Sequence, residues 1–190
     1  PAGTGALLLM AADGDADSIE SSCRALAAAA AGEGLIDILT AGNAEEAEQV
    51  WAARKALSPA LRKLAPKKVN EDVAVPVTRL SDLVTGLGQL SRVHGLRIVS
   101  FGHAGNGNLH VNLLADPDDP AQMQAIGACL SQVFDLVLDL GGTLSGEHGI
   151  GLDKRDFVAR EIDAETLALM HSLRQVFDPR GILNPGKALP

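Results

Sequence analysis

The feature that most constrains this 190-residue chain is a pair of strand-like runs, Arg97–Phe101 and Leu109–Leu114, joined by a short glycine-rich connection. Parallel neighbours need a crossover of roughly a dozen residues or more, so a connection this short leaves an antiparallel hairpin as the pairing. In the second run Leu109, Val111 and Leu113 alternate with His110 and Asn112. A period of two means one face for the apolar set and the opposite face for the polar set.

Around the hairpin, strand-like and helix-like segments interleave. Ala6–Ala11 is a short apolar run ending at Asp13-Gly14, and Asp15–Ala31 carries apolar residues at helical spacing before Gly32 and Gly34. Leu35–Thr40 is a second strand candidate, and Asn43 is placed to cap a helix running through Trp51 and Arg54 to about Leu57. Pro59 and Pro66 bracket what is expected to be an irregular basic loop. Val69–Val75 alternates as a third strand, Thr78–Val93 predicts a helix closed by Gly95, and Pro120–Leu140 predicts a long helix stopped by Gly141-Gly142. The remainder is expected to be helical with loops.

This order predicts an α+β fold, a ferredoxin-like α/β sandwich whose largely antiparallel sheet is covered by helices, followed by a helical C-terminal segment. With 46% hydrophobic residues and no Gly/Ser-rich spacer, residues 1–190 are expected to form a single domain. The net charge of −8, with basic residues scattered, argues against a nucleic-acid surface. Ala25–Ala31 is far shorter than the roughly 20 apolar residues of a membrane span, so no transmembrane helix is expected. No charged and then apolar leader opens the chain, and its start at Pro1 suggests trimming or a fragment. Cys23 and Cys129 form no framework and are expected as free thiols, which points to a reducing, cytoplasmic setting.

Two segments carry the chemistry. In Phe101-Gly-His-Ala-Gly-Asn-Gly-Asn-Leu-His110, His103 and His110 stand at facing ends of the turn, where both imidazoles can project to one side. Ser145-Gly-Glu-His-Gly-Ile-Gly151 offers Glu147 between glycines that let the backbone approach closely. His103, His110 and Glu147 are thus candidate ligands of a divalent metal, with positions left open for a substrate oxygen. Read alone, the first segment serves equally well as a glycine turn with core histidines. His148, next to Glu147, is expected to point to the opposite face of an extended segment and so to be free for acid–base work. Asn112 shares the His110 face and is a candidate substrate contact or, equally, an edge-strand polar residue.

Together with Trp51-Ala-Ala-Arg54, Asp72-Val-Ala-Val-Pro76 and Phe177-Asp-Pro-Arg-Gly-Ile-Leu-Asn-Pro-Gly-Lys187, these segments resemble the C-terminal domain of FAD-linked oxidases of the vanillyl-alcohol-oxidase type, which include D-lactate, glycolate and D-2-hydroxyglutarate dehydrogenases. The resemblance implies a zinc-like metal at His103, His110 and Glu147 and a catalytic base at His148. It also implies that Arg54 binds the substrate carboxylate, and that Asn184 and Lys187 lie near the flavin. FAD itself would be held mainly by an N-terminal domain absent from this chain, which then is expected to be inactive alone. Two departures stand out: Asn106 where many relatives have Asp, and Asn70 where some 2-hydroxyglutarate enzymes carry Lys. A stand-alone acid-binding or assembly module and a metal-dependent hydrolase are the competing expectations, and a homo-oligomer is compatible with the sequence.

Overall fold

The computed structural model describes residues 3–190. The chain divides into two compact units, one of residues up to Lys55 and one of Ala56–Pro190. Its helices are α1 (Ala16–Ala30), α2 (Ala44–Leu64), α3 (Leu80–His94), α4 (Pro120–Asp139), α5 (Val158–Glu161) and α6 (Ala164–Phe177). Its strands are β1 (Lys67–Ala74), β2 (Arg97–His103) and β3 (Asn108–Ala115). The fold is α+β, as the interleaved pattern predicts.

In the first unit, Asn43 caps α2 as expected. Its Oδ1 accepts the Glu46 N–H at 2.9 Å, while the Glu46 carboxylate reaches back to the Gly42 N–H at 2.7 Å, a reciprocal arrangement that satisfies two donors. The expected strands Ala6–Ala11 and Leu35–Thr40 do not form. Neither segment is paired with a strand among the described residues, and a strand exists only through its ladder. Their apolar side chains lie outside, Leu7 at 89% and Leu39 at 90% exposure.

The loop expected between Pro59 and Pro66 is also corrected, since α2 continues through Pro59 to Leu64. Proline deletes one helical hydrogen bond at its own position. Good helix formers follow at once in Ala60, Leu61, Arg62 and Lys63, and Leu61 is buried, so packing holds the turn that local preference weakens.

The second unit is built on a three-stranded sheet of order β1-β3-β2, with β3 antiparallel to both neighbours. β1 and β2 therefore run parallel to each other, joined by α3 and separated by the later strand, a split β-α-β arrangement. Gly95, left-handed at φ 63°, closes α3, and Asp119 caps α4 by accepting from Ala121 and Gln122 N–H groups ahead of Pro120.

Alternation on β3 decides the rest. Leu109, Val111 and Leu113, with Val73 of β1, face Leu83 and Leu87 of α3 and Cys129, Val133, Phe134 and Val137 of α4 in one core. Each fully buried Leu, Val or Phe contributes about 1.5–3 kcal/mol. Asn108, His110 and Asn112 occupy the other face. Contrary to expectation, α4 is long and apolar enough to cross a membrane by length and composition. Its core role accounts for that character, since Cys129, Val133, Phe134 and Val137 are fully buried against the sheet and α3.

Candidate metal centre and active-site loop

The site grows from the polar face of the sheet. The register sets Asp72 of β1 and Phe101 of β2 on either side of His110, and Ala74 and His103 on either side of Asn108. The connection between β2 and β3 is a single tight turn, Ala104–Asn106, closed by Gly107 at φ 70°. A side chain at Gly107 would overlap the carbonyl oxygen of Val75, so only glycine lets the turn lie against the chain leaving β1. His103 and His110 are thereby brought to one side, with ring centroids 5.7 Å apart.

The second segment arrives through the end of β1. Ala74 and Thr143 exchange backbone hydrogen bonds of 3.2 and 2.8 Å, Leu144 is buried in the core, and the Leu144 N–H donates to the Glu161 carboxylate at 2.9 Å. This delivers residues 145–148 over His110. Glu147 Oε1 lies 3.3 Å from His110 Nε2 and 3.8 Å from His103 Nε2, and the three ligand atoms all fall within 4.8 Å of one another.

A tetrahedral zinc ion with N and O bonds of roughly 2.0–2.1 Å holds its ligands about 3.4 Å apart. The Glu147–His110 spacing already matches, and the other spacings need only side-chain adjustment at two half-exposed residues, His103 and Glu147. Three ligands of the His₂Glu type also leave a coordination position open, so the donor set fits a divalent ion. Burial lowers the His110 pKa, with the neighbouring His148 and His103 acting in the same direction against Glu147. A depressed pKa keeps the imidazole neutral, the form that binds metal.

His148 is placed differently from expectation. Residues 146–148 are bent rather than extended, so His148 turns to the same side as Glu147, with Nε2 4.0 Å from Glu147 Oε1. Its ring stacks on His110 at 5.1 Å. Nδ1 lies 3.5 Å from Asp72 Oδ1.

The remaining candidates belong to other positions of the chain. Asn112 is on the His110 face but fully buried, its Nδ2 donating to Val99 and His110 carbonyls at 3.1 Å each. Its Oδ1, like Asn108 Oδ1 and His110 Nδ1, has no hydrogen-bond partner among the described residues. Arg54 belongs to α2 in the first unit. Asn184, at φ 45°, and Lys187 lie exposed in the C-terminal loop. That loop is organised by Arg174, which donates to the carbonyls of Leu183, Asn184 and Lys187, and by Asp178, which accepts from the Ile182 and Leu183 N–H groups.

Sequence reading missed the support beneath the loop. Asp72 is fully buried and accepts the backbone N–H groups of Glu147 and of His148, the latter at 2.9 Å, while Lys154 Nζ reaches its carboxylate at 2.5 Å. Burial alone would raise the Asp72 pKa, but these donors outweigh it and hold the carboxyl well below its usual range. Alternation did put Asp72 on the polar face of β1. Nothing local marks Lys154, whose role arises from an 82-residue separation.

The sequence profile described as FAD linked oxidases, C-terminal domain, matches residues 1–188. The glycolate oxidase subunit GlcD of Bacillus subtilis is 32% identical over 187 residues, covering 98% of this chain and 40% of that protein. The D-lactate dehydrogenase of Anaerostipes hadrus is 33% identical over 96% of this chain and 39% of its own length. The mitochondrial D-2-hydroxyglutarate dehydrogenase of Danio rerio is 32% identical over 81% of this chain and 28% of its own. The chain thus spans about two fifths or less of these relatives. In three dimensions it resembles 4-ethylphenol oxidase from Gulosibacter chungangensis, with a TM-score of 0.58 and 18% identity over 91% of this chain and 36% of that one. From the full-length profile match and these relatives, the chain belongs to the FAD linked oxidases, C-terminal domain family.

Proposed function

We propose that this chain forms the substrate side of an FAD-dependent dehydrogenase or oxidase that converts a D-2-hydroxy acid, of the glycolate, D-lactate or D-2-hydroxyglutarate type, to the 2-oxo acid. An N-terminal FAD-binding domain of the same protein supplies the other side. The observation that carries this reading is the convergence of His103, His110 and Glu147 with His148 beside them, four groups suited to a hydroxy acid. The names of the relatives favour it over a stand-alone acid-binding module.

A flavin held by the N-terminal domain would supply the hydride acceptor, and a divalent ion, zinc by its donor set, would supply Lewis acidity toward the substrate hydroxyl. His103, His110 and Glu147 would hold that ion. His148 Nε2 takes the hydroxyl proton, while Nδ1 is oriented by Asp72. Arg54 pairs with the substrate carboxylate, because a guanidinium forms two parallel hydrogen bonds that fix both charge and orientation. Asn112 contributes to the polar wall behind His110, and Asn184 with Lys187 contacts the flavin.

The test is anaerobic flavin reduction in the full-length protein with glycolate, D-lactate and D-2-hydroxyglutarate, alongside elemental analysis. His148→Asn should keep the metal and lose about 10²–10⁴-fold in reduction rate, the usual contribution of a general base. Wild-type reduction by His148→Asn removes the base assignment, and failure of every 2-hydroxy acid removes the function.

A further inference from the structure

The loop that carries Glu147 and His148 has almost nothing of its own to hold it. Among the described residues, the backbone N–H groups of Ser145–His148 that are hydrogen-bonded go to one acceptor, the carboxylate of Asp72. Two consecutive N–H groups converge on a single oxygen, Oδ2, so the chain curls around the anion as in a backbone nest. Gly146 permits the curl, since a side chain there would overlap Asn108.

Burying a lone carboxylate is costly unless it is paired and hydrogen-bonded. Here the pairing comes from the same stretch of chain. Lys154 donates 2.5 Å to Asp72 Oδ1 and 2.7 Å to the Asp72 carbonyl, and Ser145 Oγ lies 3.5 Å away. Lys154 Nζ also stands 3.7 Å from the carboxylate of Glu71, the preceding residue on β1, whose alternation turns it from the site face. Among the described residues Glu71 has an ion pair with the lysine and no hydrogen bond or ion pair to the 145–148 loop.

We propose that Asp72, held by Lys154, is the positioning residue of this site: its buried carboxylate fixes the 145–148 loop to the sheet and thereby sets the Glu147 ligand and the His148 imidazole. The sheet register does the aiming. Asp72 is the direct neighbour of His110, so the same carboxylate that gathers the loop also places it over the histidine ligand. The inference rests on the reading of His103, His110 and Glu147 as metal ligands.

The experiment measures zinc affinity by chelator competition and the visible spectrum of the cobalt-loaded form, in the full-length protein and in Asp72→Ala, Asp72→Asn and Glu71→Gln. Asp72→Ala should bind zinc about 10–100-fold more weakly, the usual cost of losing a group that orients a ligand, with an altered cobalt spectrum. Asp72→Asn, which keeps an acceptor for the two N–H groups and loses the ion pair, should fall between Ala and wild type. Glu71→Gln should retain wild-type affinity and spectrum. Equal affinities in all four proteins, or equal losses in Glu71→Gln and the Asp72 variants, overturn the proposal. If Asp72→Ala does not fold, the comparison of Asp72→Asn with Glu71→Gln decides. A wild-type protein that binds neither zinc nor cobalt refutes the metal reading itself, an outcome separate from the others.

Discussion

Replacing Gly146 by alanine places a methyl group where it overlaps Asn108 Nδ2, lies 2.9 Å from Asn108 Cγ and stands 3.2 Å from Asp72 Oδ2. A swing of the amide end alone does not clear Cγ. Nor can the Asn108 backbone retreat, because it is paired with Ala74 on one side and His103 on the other. The loop therefore yields, and the N–H groups of Glu147 and His148 withdraw from the Asp72 carboxylate. Overpacking of this kind costs about 1–3 kcal/mol. A loss of about 2 kcal/mol lowers the melting temperature of a chain this size by about 4–8 °C. Because Glu147 moves with the loop, zinc affinity should fall by about 10–100-fold. Calorimetric melting and zinc titration of Gly146→Ala are read against Gly105→Ala, where an added Cβ meets nothing within 4 Å. An unchanged melting temperature with wild-type zinc affinity in Gly146→Ala would refute the packing argument, and so would equal losses in both variants.

Three further outcomes follow from burial and charge. Phe134, fully buried and edge-on to Phe157 at 4.7 Å, should cost about 3–5 kcal/mol on truncation to alanine, and denaturant unfolding showing under 1 kcal/mol contradicts the assigned core. Burial pushes the Cys129 thiol up to about 11, so native protein at pH 8 should be alkylated at half-buried Cys23 alone, with Cys129 reacting only after denaturation. Mass spectrometry showing equal labelling of both thiols in the folded state rejects this. The Asp72 carboxyl is held below its usual range, so its stabilisation is complete above about pH 4 and is lost as pH falls through the lower folded value. Asp72→Asn should accordingly flatten the acid limb of the stability curve below about pH 4, and parallel limbs would count against the assignment.

Much of the site was legible because its logic is local. A period-two strand beside a glycine turn puts His103 and His110 together, and glycines around Glu147 allow the approach that the structure makes at 3.3 Å. The helix cap at Asn43 was equally local, a short side chain reaching the N–H group three residues on. Where the reading failed, the deciding interaction was distant or absent. Ala6–Ala11 and Leu35–Thr40 have strand composition, but composition does not supply the ladder partner that makes a strand. Pro59 marks a helix break by its chemistry, yet Leu61 two residues later is buried and the helix runs on. His148 was turned by the Asp72 carboxylate beneath its own backbone, an anchor 76 residues away in sequence.

β3 shows why fold and site cannot be separated in this chain. All eight of its residues are buried, yet alternate side chains serve opposed ends: Leu109, Val111 and Leu113 hold the helices, while Asn108, His110 and Asn112 make up the polar face that carries the candidate site. A slip of one residue in its pairing would turn the leucines toward the site and the polar set into the core. Each buried polar atom left unpaired costs about 1–3 kcal/mol, so the apolar face, the two flanking strands and Asp72 opposite His110 must jointly hold the register. The carboxylate that gathers the loop is thus also one of the groups that distinguishes the correct pairing from its neighbour, and loss of Asp72 bears on ligand geometry and strand register together.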